Sequence, residues 1–245
     1  MRFLKHGCTI LFVLSSTASI GQDKFTQQGL LWLRYYNQTQ LNEKFVLHLE
    51  VDERKLLNPL RQFQFFTHLH LHYRLKPWLD VAAGTSYIYT NSTVNISLAV
   101  PELRLWQEAS IIKDINKQWQ FQFRYRLDER FIHHNDKIVL TEGYGFNWRH
   151  RFRIQFSRPI AQFKNNSILI IKLSDELMLN SGDVPRPFDQ NRFYASLEIK
   201  LSERWSIESG YLNLIQPKTE SEYFMRNIVR STVYHRMDAR RRNKI

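Results

Sequence analysis

The chain has 245 residues, with 35 Lys and Arg against 23 Asp and Glu, a formal net charge of +12, and a single cysteine. One cysteine excludes a disulfide-held fold, and no apolar stretch approaches the roughly 18 residues that a membrane-spanning helix needs, which excludes a helical membrane protein. The basic balance excludes little: nucleic acid is one cause of it, and a surface dense in lipid phosphate is another.

Met1 to Gly21 reads as an export signal. Arg2 and Lys5 precede a short apolar stretch, Ile10 to Leu14, and the small-residue run Ser15-Ser16-Thr17-Ala18-Ser19. Cleavage is expected after Gly21, with Ser19 as the alternative. Cys8 lies inside this leader without the context of a lipoprotein cysteine, so the exported chain holds no thiol. An exported chain rarely meets nucleic acid, and none is expected as a partner.

Beyond the leader, apolar residues recur at every second position. Phe63, Phe65, Thr67, Leu69, Leu71 and Tyr73 share one face of a strand, and Gln62, Gln64, His68, His70, His72 and Arg74 the other, with Phe66 alone out of pattern. Alternation and turn signals predict strands near 25–36, 44–55, 61–74, 79–90, 101–113, 119–131, 142–157, 167–180, 191–201, 205–214 and 223–236. At about 3.3 Å per residue and a tilt of about 40°, such strands cover a bilayer core, and they are about twice the usual length in a soluble sandwich. The apolar faces are therefore expected to meet lipid.

The connections also alternate. Those at 76–77, 114–118 and 202–204 read as tight turns, and those at 91–99, 132–141, 181–190 and 215–222 as longer polar loops, the porin-like pattern. Trp78, Trp119 and Trp205 each start a strand after a short turn, where an indole suits the headgroup level. Eleven segments are legible, but single-chain bacterial barrels close with even numbers. Twelve strands are expected, with ten as the alternative.

With lipid on the apolar face, the lumen receives Glu102, Arg104, Glu108, Arg124, Arg126, Asp128, Arg130, Arg149, Arg151, Arg153, Lys172, Glu176, Glu198 and the histidines His68, His70 and His72. Ser174, Lys200 and Glu208 share that face. An unpaired buried ion costs several kcal/mol, so arginine–carboxylate forks between adjacent strands are expected. Such a network either fills a narrow barrel or lines an anion-favouring aqueous path. The histidine spacing lets two of the three share a metal, but a third ligand is wanting, and the run is read as lumen lining. His133, His134 and Asp136 in one loop and Ser181 and Asp183 in another are the only groups that suggest a serine-hydrolase-like constellation, and no motif joins them.

Five strings carry a family resemblance. Pro101-Glu102-Leu103-Arg104-Leu105-Trp106-Gln107, Phe123-Arg124-Tyr125-Arg126-Leu127-Asp128-Glu129-Arg130-Phe131, Asp175-Glu176-Leu177-Met178-Leu179-Asn180, Asp189-Gln190-Asn191-Arg192-Phe193-Tyr194 and Gly210-Tyr211-Leu212-Asn213 occur in an order that resembles the bacterial family catalogued as domain of unknown function 2490. The resemblance implies exported Gram-negative proteins that form outer-membrane β-barrels, and it brings no reaction, ligand or catalytic residue with it. The histidine run falls outside that pattern. The basic end, Arg240-Arg241-Arg242-Asn243-Lys244, departs from the terminal aromatic residue that many barrels present to their assembly machinery.

The expectation is thus an all-β fold: an antiparallel up-and-down transmembrane β-barrel in one domain, 22–245, after a signal peptide. Its expected role is non-enzymatic, structural or weakly conducting. The alternatives are a lipid-modifying or hydrolytic barrel enzyme and a soluble periplasmic lipocalin-like binder. No cofactor is expected. The expected partners are the bilayer, lipopolysaccharide, the outer-membrane assembly machinery and, through an open lumen, a small anionic solute.

Overall fold

Leucine, aromatic and β-branched side chains at alternate positions suit a pleated sheet, and the computed structural model of the protein is built from one. It describes residues 24–92, 98–116, 118–164 and 166–240. Residues 1–23, which contain the leader, and 241–245 lie outside those ranges, so that of the basic end Arg240 alone is described. Among the described residues there are eleven strands and no helix: β1 (Lys24–Gln40), β2 (Phe45–Leu57), β3 (Leu60–Lys76), β4 (Leu79–Asn91), β5 (Ala99–Asp114), β6 (Gln120–Asn135), β7 (Leu140–Gln162), β8 (Ile168–Ser181), β9 (Phe188–Lys200), β10 (Trp205–Pro217) and β11 (Glu222–Asp238).

Each strand pairs antiparallel with the next in chain order, and β1 also pairs with β11, so the sheet closes into a barrel with no free edge. The expectation of twelve strands, or ten, is corrected to eleven. An odd number sends the first and last strands the same way, so the closing seam is parallel, from Lys24 opposite Glu222 to Gln40 opposite Asp238. Parallel pairing is slightly weaker per residue, and side chains reinforce this seam. Arg34 donates to the hydroxyls of Thr232 and Tyr234, both at 3.3 Å, and Arg226 donates to Gln28 at 2.9 Å.

The turns gather at two rims. At the rim where β11 ends, β1 is joined to β2, β3 to β4, β5 to β6, β7 to β8 and β9 to β10; at the rim where β1 begins, β2 is joined to β3, β4 to β5, β6 to β7, β8 to β9 and β10 to β11. The strands run further into the expected long loops than alternation indicates: β6 continues to Asn135 and β10 to Pro217. The two rims therefore differ less in loop length than expected. Trp78, Trp119 and Trp205 all sit at the C-terminal rim, with Trp78 51% exposed and Trp205 40% exposed.

Along β5 the two faces separate cleanly: Glu102, Arg104 and Trp106 are buried, whereas Leu103 and Leu105 are exposed. β3 departs from simple alternation. The register slips between Arg54 and Lys55, whose partners are Gln64 and Gln62, so Phe63 is the extra residue of a β-bulge. The bulge turns Phe63 inward, where it is buried, and leaves Gln62 exposed beside Glu53. The placement of Phe63 on the outer face and Gln62 on the inner one is corrected accordingly.

Inside, an apolar cluster of Leu30, Trp32, Leu56, Phe63, Tyr194, Leu212, Leu214 and Ile228 lies toward the rim where β1 begins. This interior apolar layer was not apparent from the sequence, because β1 is apolar on both faces through Leu30-Leu31-Trp32-Leu33. Gly84 sits opposite both His70 and Trp106, whose rings are 4.9 Å apart. A Cβ on Gly84 would lie 2.3 Å from His70 Cβ and 2.6 Å from Leu69 O, so only glycine lets those strands approach there.

Candidate site in the barrel interior

The buried face of the barrel is dense in charge, and the alternation of β5 to β9 explains why. Asp128, fully buried on β6, accepts from Arg126 Nε at 2.6 Å and Arg149 Nη2 at 2.9 Å, with Arg151 3.7 Å away. Arg149 also donates to Asp189 at 3.1 Å. Glu176 receives Arg151 at 2.9 Å, lies 3.8 Å from Arg192 and is closely paired with Arg124, which is 3.5 Å from Glu108. Glu102 is shared between Arg104 and Arg130, the latter at 2.6 Å. Lys172 bridges Glu198 at 2.7 Å and Glu208 at 2.6 Å. Arg153 donates to Gln122 at 3.3 Å. Shared carboxylates of this kind offset the desolvation that an isolated buried ion would suffer.

A second group of charges comes from β1 and β2, where the sequence reading named none. His48, Glu50, Asp52 and Arg54 occupy alternate positions of β2, and that parity is the signal that points to them. Arg34 donates to Glu50 at 2.8 Å, and Arg54 donates to Asp52 at 2.9 Å. The Arg54 guanidinium lies 3.8 Å from the ring centroids of both Trp32 and Phe66. Phe66, the apolar residue that breaks the polar face of β3, is thus an arginine-stacking platform. Arg126 stacks at 3.7 Å on Trp106 in the same manner.

The stack of Arg54 with Trp32 and Phe66 lies in the walls of two interior cavities. A cavity of about 1600 Å³ reaches from the C-terminal rim, lined in part by Lys76 and Arg204, down to Trp32, Arg54, Phe66 and Arg104. A smaller one of about 300 Å³ lies beyond the same four residues, with Glu102, Arg130, Arg149 and Arg226 in its wall. Arg226 donates there to the side-chain amides of Gln28 and Gln216.

The histidine run separates. His68 pairs with the Ser86 hydroxyl and stacks on Phe66. His70 Nδ1 and His72 Nε2 lie 3.0 Å apart, and His48 joins them, facing His70 across the β2–β3 ladder.

The loop residues considered for hydrolysis do not form one constellation. His134 Nδ1 contacts the Glu142 carbonyl at 3.1 Å, and Asp136 accepts from the backbone N–H groups of Ile138 and Val139. Ser181 instead meets His150 Nε2 at 2.9 Å, and His150 Nδ1 meets the Tyr125 hydroxyl at 2.9 Å. His150 and Tyr125 alternate with the buried arginines of β7 and β6, so this trio lies on the outer face.

A closed all-β barrel with a charged and aromatic interior is the class that fold and site define. The chain belongs to the family described as protein of unknown function (DUF2490), whose model matches residues 29–225. No curated protein and no solved structure matches it.

Proposed function

We propose that the protein is a non-enzymatic outer-membrane barrel whose interior is closed to all but weak, anion-preferring conduction. One observation carries this reading: the polarity of the barrel is inverted relative to a water-soluble one. Asp128, Glu102 and Arg149 are buried, whereas leucine, isoleucine, phenylalanine and tyrosine side chains are exposed on nine of the eleven strands, and Val229, Val233 and Met237 are exposed on β11. Bilayer hydrocarbon is the solvent that suits that surface. Trp78, Trp119 and Trp205 at one rim fit the aromatic girdle of an interface, and an N-terminal export signal fits the route. The same inversion speaks against a lipocalin-like binder, whose apolar faces would enclose a ligand.

Anion preference follows from the interior charge, since Arg153 and Arg226 are solvated by glutamine amides and Arg230 packs on the Tyr194 ring at 5.3 Å, while Arg124, Arg149 and Arg151 share carboxylates. Weak conduction follows from the stacked layer of Arg54, Trp32 and Phe66 between the two cavities. Conductance of the purified full chain in planar bilayers tests both. Small currents with anion selectivity are expected. Large cation-selective currents, or release of the native protein by osmotic shock without detergent, overturn the reading.

The hydrolytic alternative now rests on Ser181, His150 and Tyr125, a nucleophile, base and orienting group in hydrogen-bonded sequence. Their position on the outer face would present them to lipid acyl esters. Phospholipid hydrolysis abolished by Ser181→Ala would favour this second reading over the first.

A further inference from the structure

We propose that His48, His70 and His72 bind one divalent transition-metal ion of the zinc type inside the barrel. Their ligating nitrogens lie within 4.8 Å of one another, and two of them, His70 Nδ1 and His72 Nε2, are 3.0 Å apart. A tetrahedral zinc with nitrogen ligands at about 2.0–2.1 Å needs its donors a little over 3 Å from each other, so the His48 ring, stacked on that of His72 with centroids 4.1 Å apart, turns to complete the set.

The protons strengthen the case. His70 Nε2 meets Glu50 at 2.9 Å, and His72 Nδ1 meets Asp80. Each carboxylate can only accept, so both of those ring nitrogens carry hydrogen. The remaining nitrogens, His70 Nδ1 and His72 Nε2, then face each other with lone pairs when both rings are neutral. Two lone pairs at 3.0 Å repel unless a cation lies between them. With its Nδ1–H donating to the Tyr36 hydroxyl oxygen, His48 keeps the Nε2 lone pair as the third donor to the metal. Each histidine thus has its far nitrogen held by a second group, the arrangement that orients metal-bound imidazoles.

The surroundings suit an ion. Gly84 leaves the space that His70 fills, and the Trp106 ring packs on it at 4.9 Å. Of the nearby guanidinium groups, Arg34 is neutralised by Glu50 at 2.8 Å and Arg126 by Asp128 at 2.6 Å. All three histidines line the larger cavity, so a fourth coordination position opens onto water that enters from the C-terminal rim. The site depends on the closed sheet alone and not on what surrounds the barrel.

Titration of the full chain in detergent with Zn²⁺, by calorimetry, and with Co²⁺, by its visible absorption, tests the proposal. One ion per chain and a tetrahedral Co²⁺ spectrum are expected. His48→Gln, His70→Gln and His72→Gln should each weaken binding by more than the about 10–100-fold that Asp80→Asn costs. His68→Gln and the His133→Gln/His134→Gln pair should leave it unchanged. Absence of stoichiometric binding, or wild-type affinity in His48→Gln, overturns it. Where a variant does not fold, diethyl pyrocarbonate labelling of the wild-type chain replaces it: Zn²⁺ should protect His48, His70 and His72 and spare no loop histidine. Equal labelling of all of them with and without Zn²⁺ overturns the proposal.

Discussion

The Arg54 guanidinium lies 3.8 Å from the centroid of the Trp32 ring, directly across the β1–β2 ladder. Phe66 supplies a second ring at the same distance, and Asp52 holds the guanidinium at 2.9 Å. This one side chain both pairs a buried carboxylate and separates the two interior cavities. Arg54→Ala leaves Asp52 buried without that cation, a change worth about 3–5 kcal/mol against folding. Arg54→Lys keeps the charge and loses mainly the stacking, so its cost should be nearer 1–2 kcal/mol, on the order of a desolvated cation–π contact. Urea unfolding in detergent ranks the two. In the folded fraction, Arg54→Ala should also raise conductance, because the layer between the cavities is then breached.

Gly84→Ala tests the close approach of β3 and β4. Its Cβ would lie 2.3 Å from His70 Cβ and 2.6 Å from Leu69 O, which the ladder relieves only by moving backbone. Overpacking of this kind costs about 1–3 kcal/mol. Gly29→Ala is the control, since its Cβ would meet Leu57 at an ordinary 3.5 Å, and it should stay within about 0.5 kcal/mol of wild type. Equal losses in the two variants would mean that the barrel gives locally at β4.

How far the sequence reached differs between elements. Regular alternation made β5 to β9 legible, because the inward Arg, Glu and Asp residues each have at least one apolar neighbour, as in Arg124-Tyr125-Arg126-Leu127-Asp128. Phe63 was misplaced because a bulge reverses the faces of a strand without leaving a mark in its composition. The strand count failed for another reason: parity was imposed from other barrels, whereas the parallel β1–β11 seam removes the need for an even number. The partner of the histidine run was out of reach by counting alone. His48 meets His70 through ladder register, which spacing along one strand does not contain.

The β6–β7 turn offers a local pH probe. Asp136 is held below the ordinary carboxylate range by the backbone N–H groups of Val139 and Ile138, which bond its charged form. A depressed folded value means that these hydrogen bonds are intact above the unfolded value and are lost as pH falls through the folded one. The amide proton shifts of Ile138 and Val139 should therefore titrate together, with a midpoint under the ordinary aspartate value. Asp136→Asn, which accepts without titrating, should abolish that transition. A shared midpoint at or above the ordinary value would show the turn to be open in solution.

The inverted polarity itself is open to a paired substitution. Leu105 is exposed near the middle of β5, between the buried Arg104 and Trp106, and Ile138 is 69% exposed in the β6–β7 turn. Were water the solvent on both, arginine at either position would be a surface change of within about 0.5 kcal/mol. In a bilayer the two diverge. A charge at the hydrocarbon midplane costs about 2–4 kcal/mol, falling toward zero beyond the interface. Leu105→Arg should therefore fold poorly into lipid vesicles, shown by loss of heat-modifiable migration on gels, while Ile138→Arg inserts like the wild type. Equal folding of both variants, in vesicles and in lipid-free buffer alike, would place water outside this barrel and end the membrane reading.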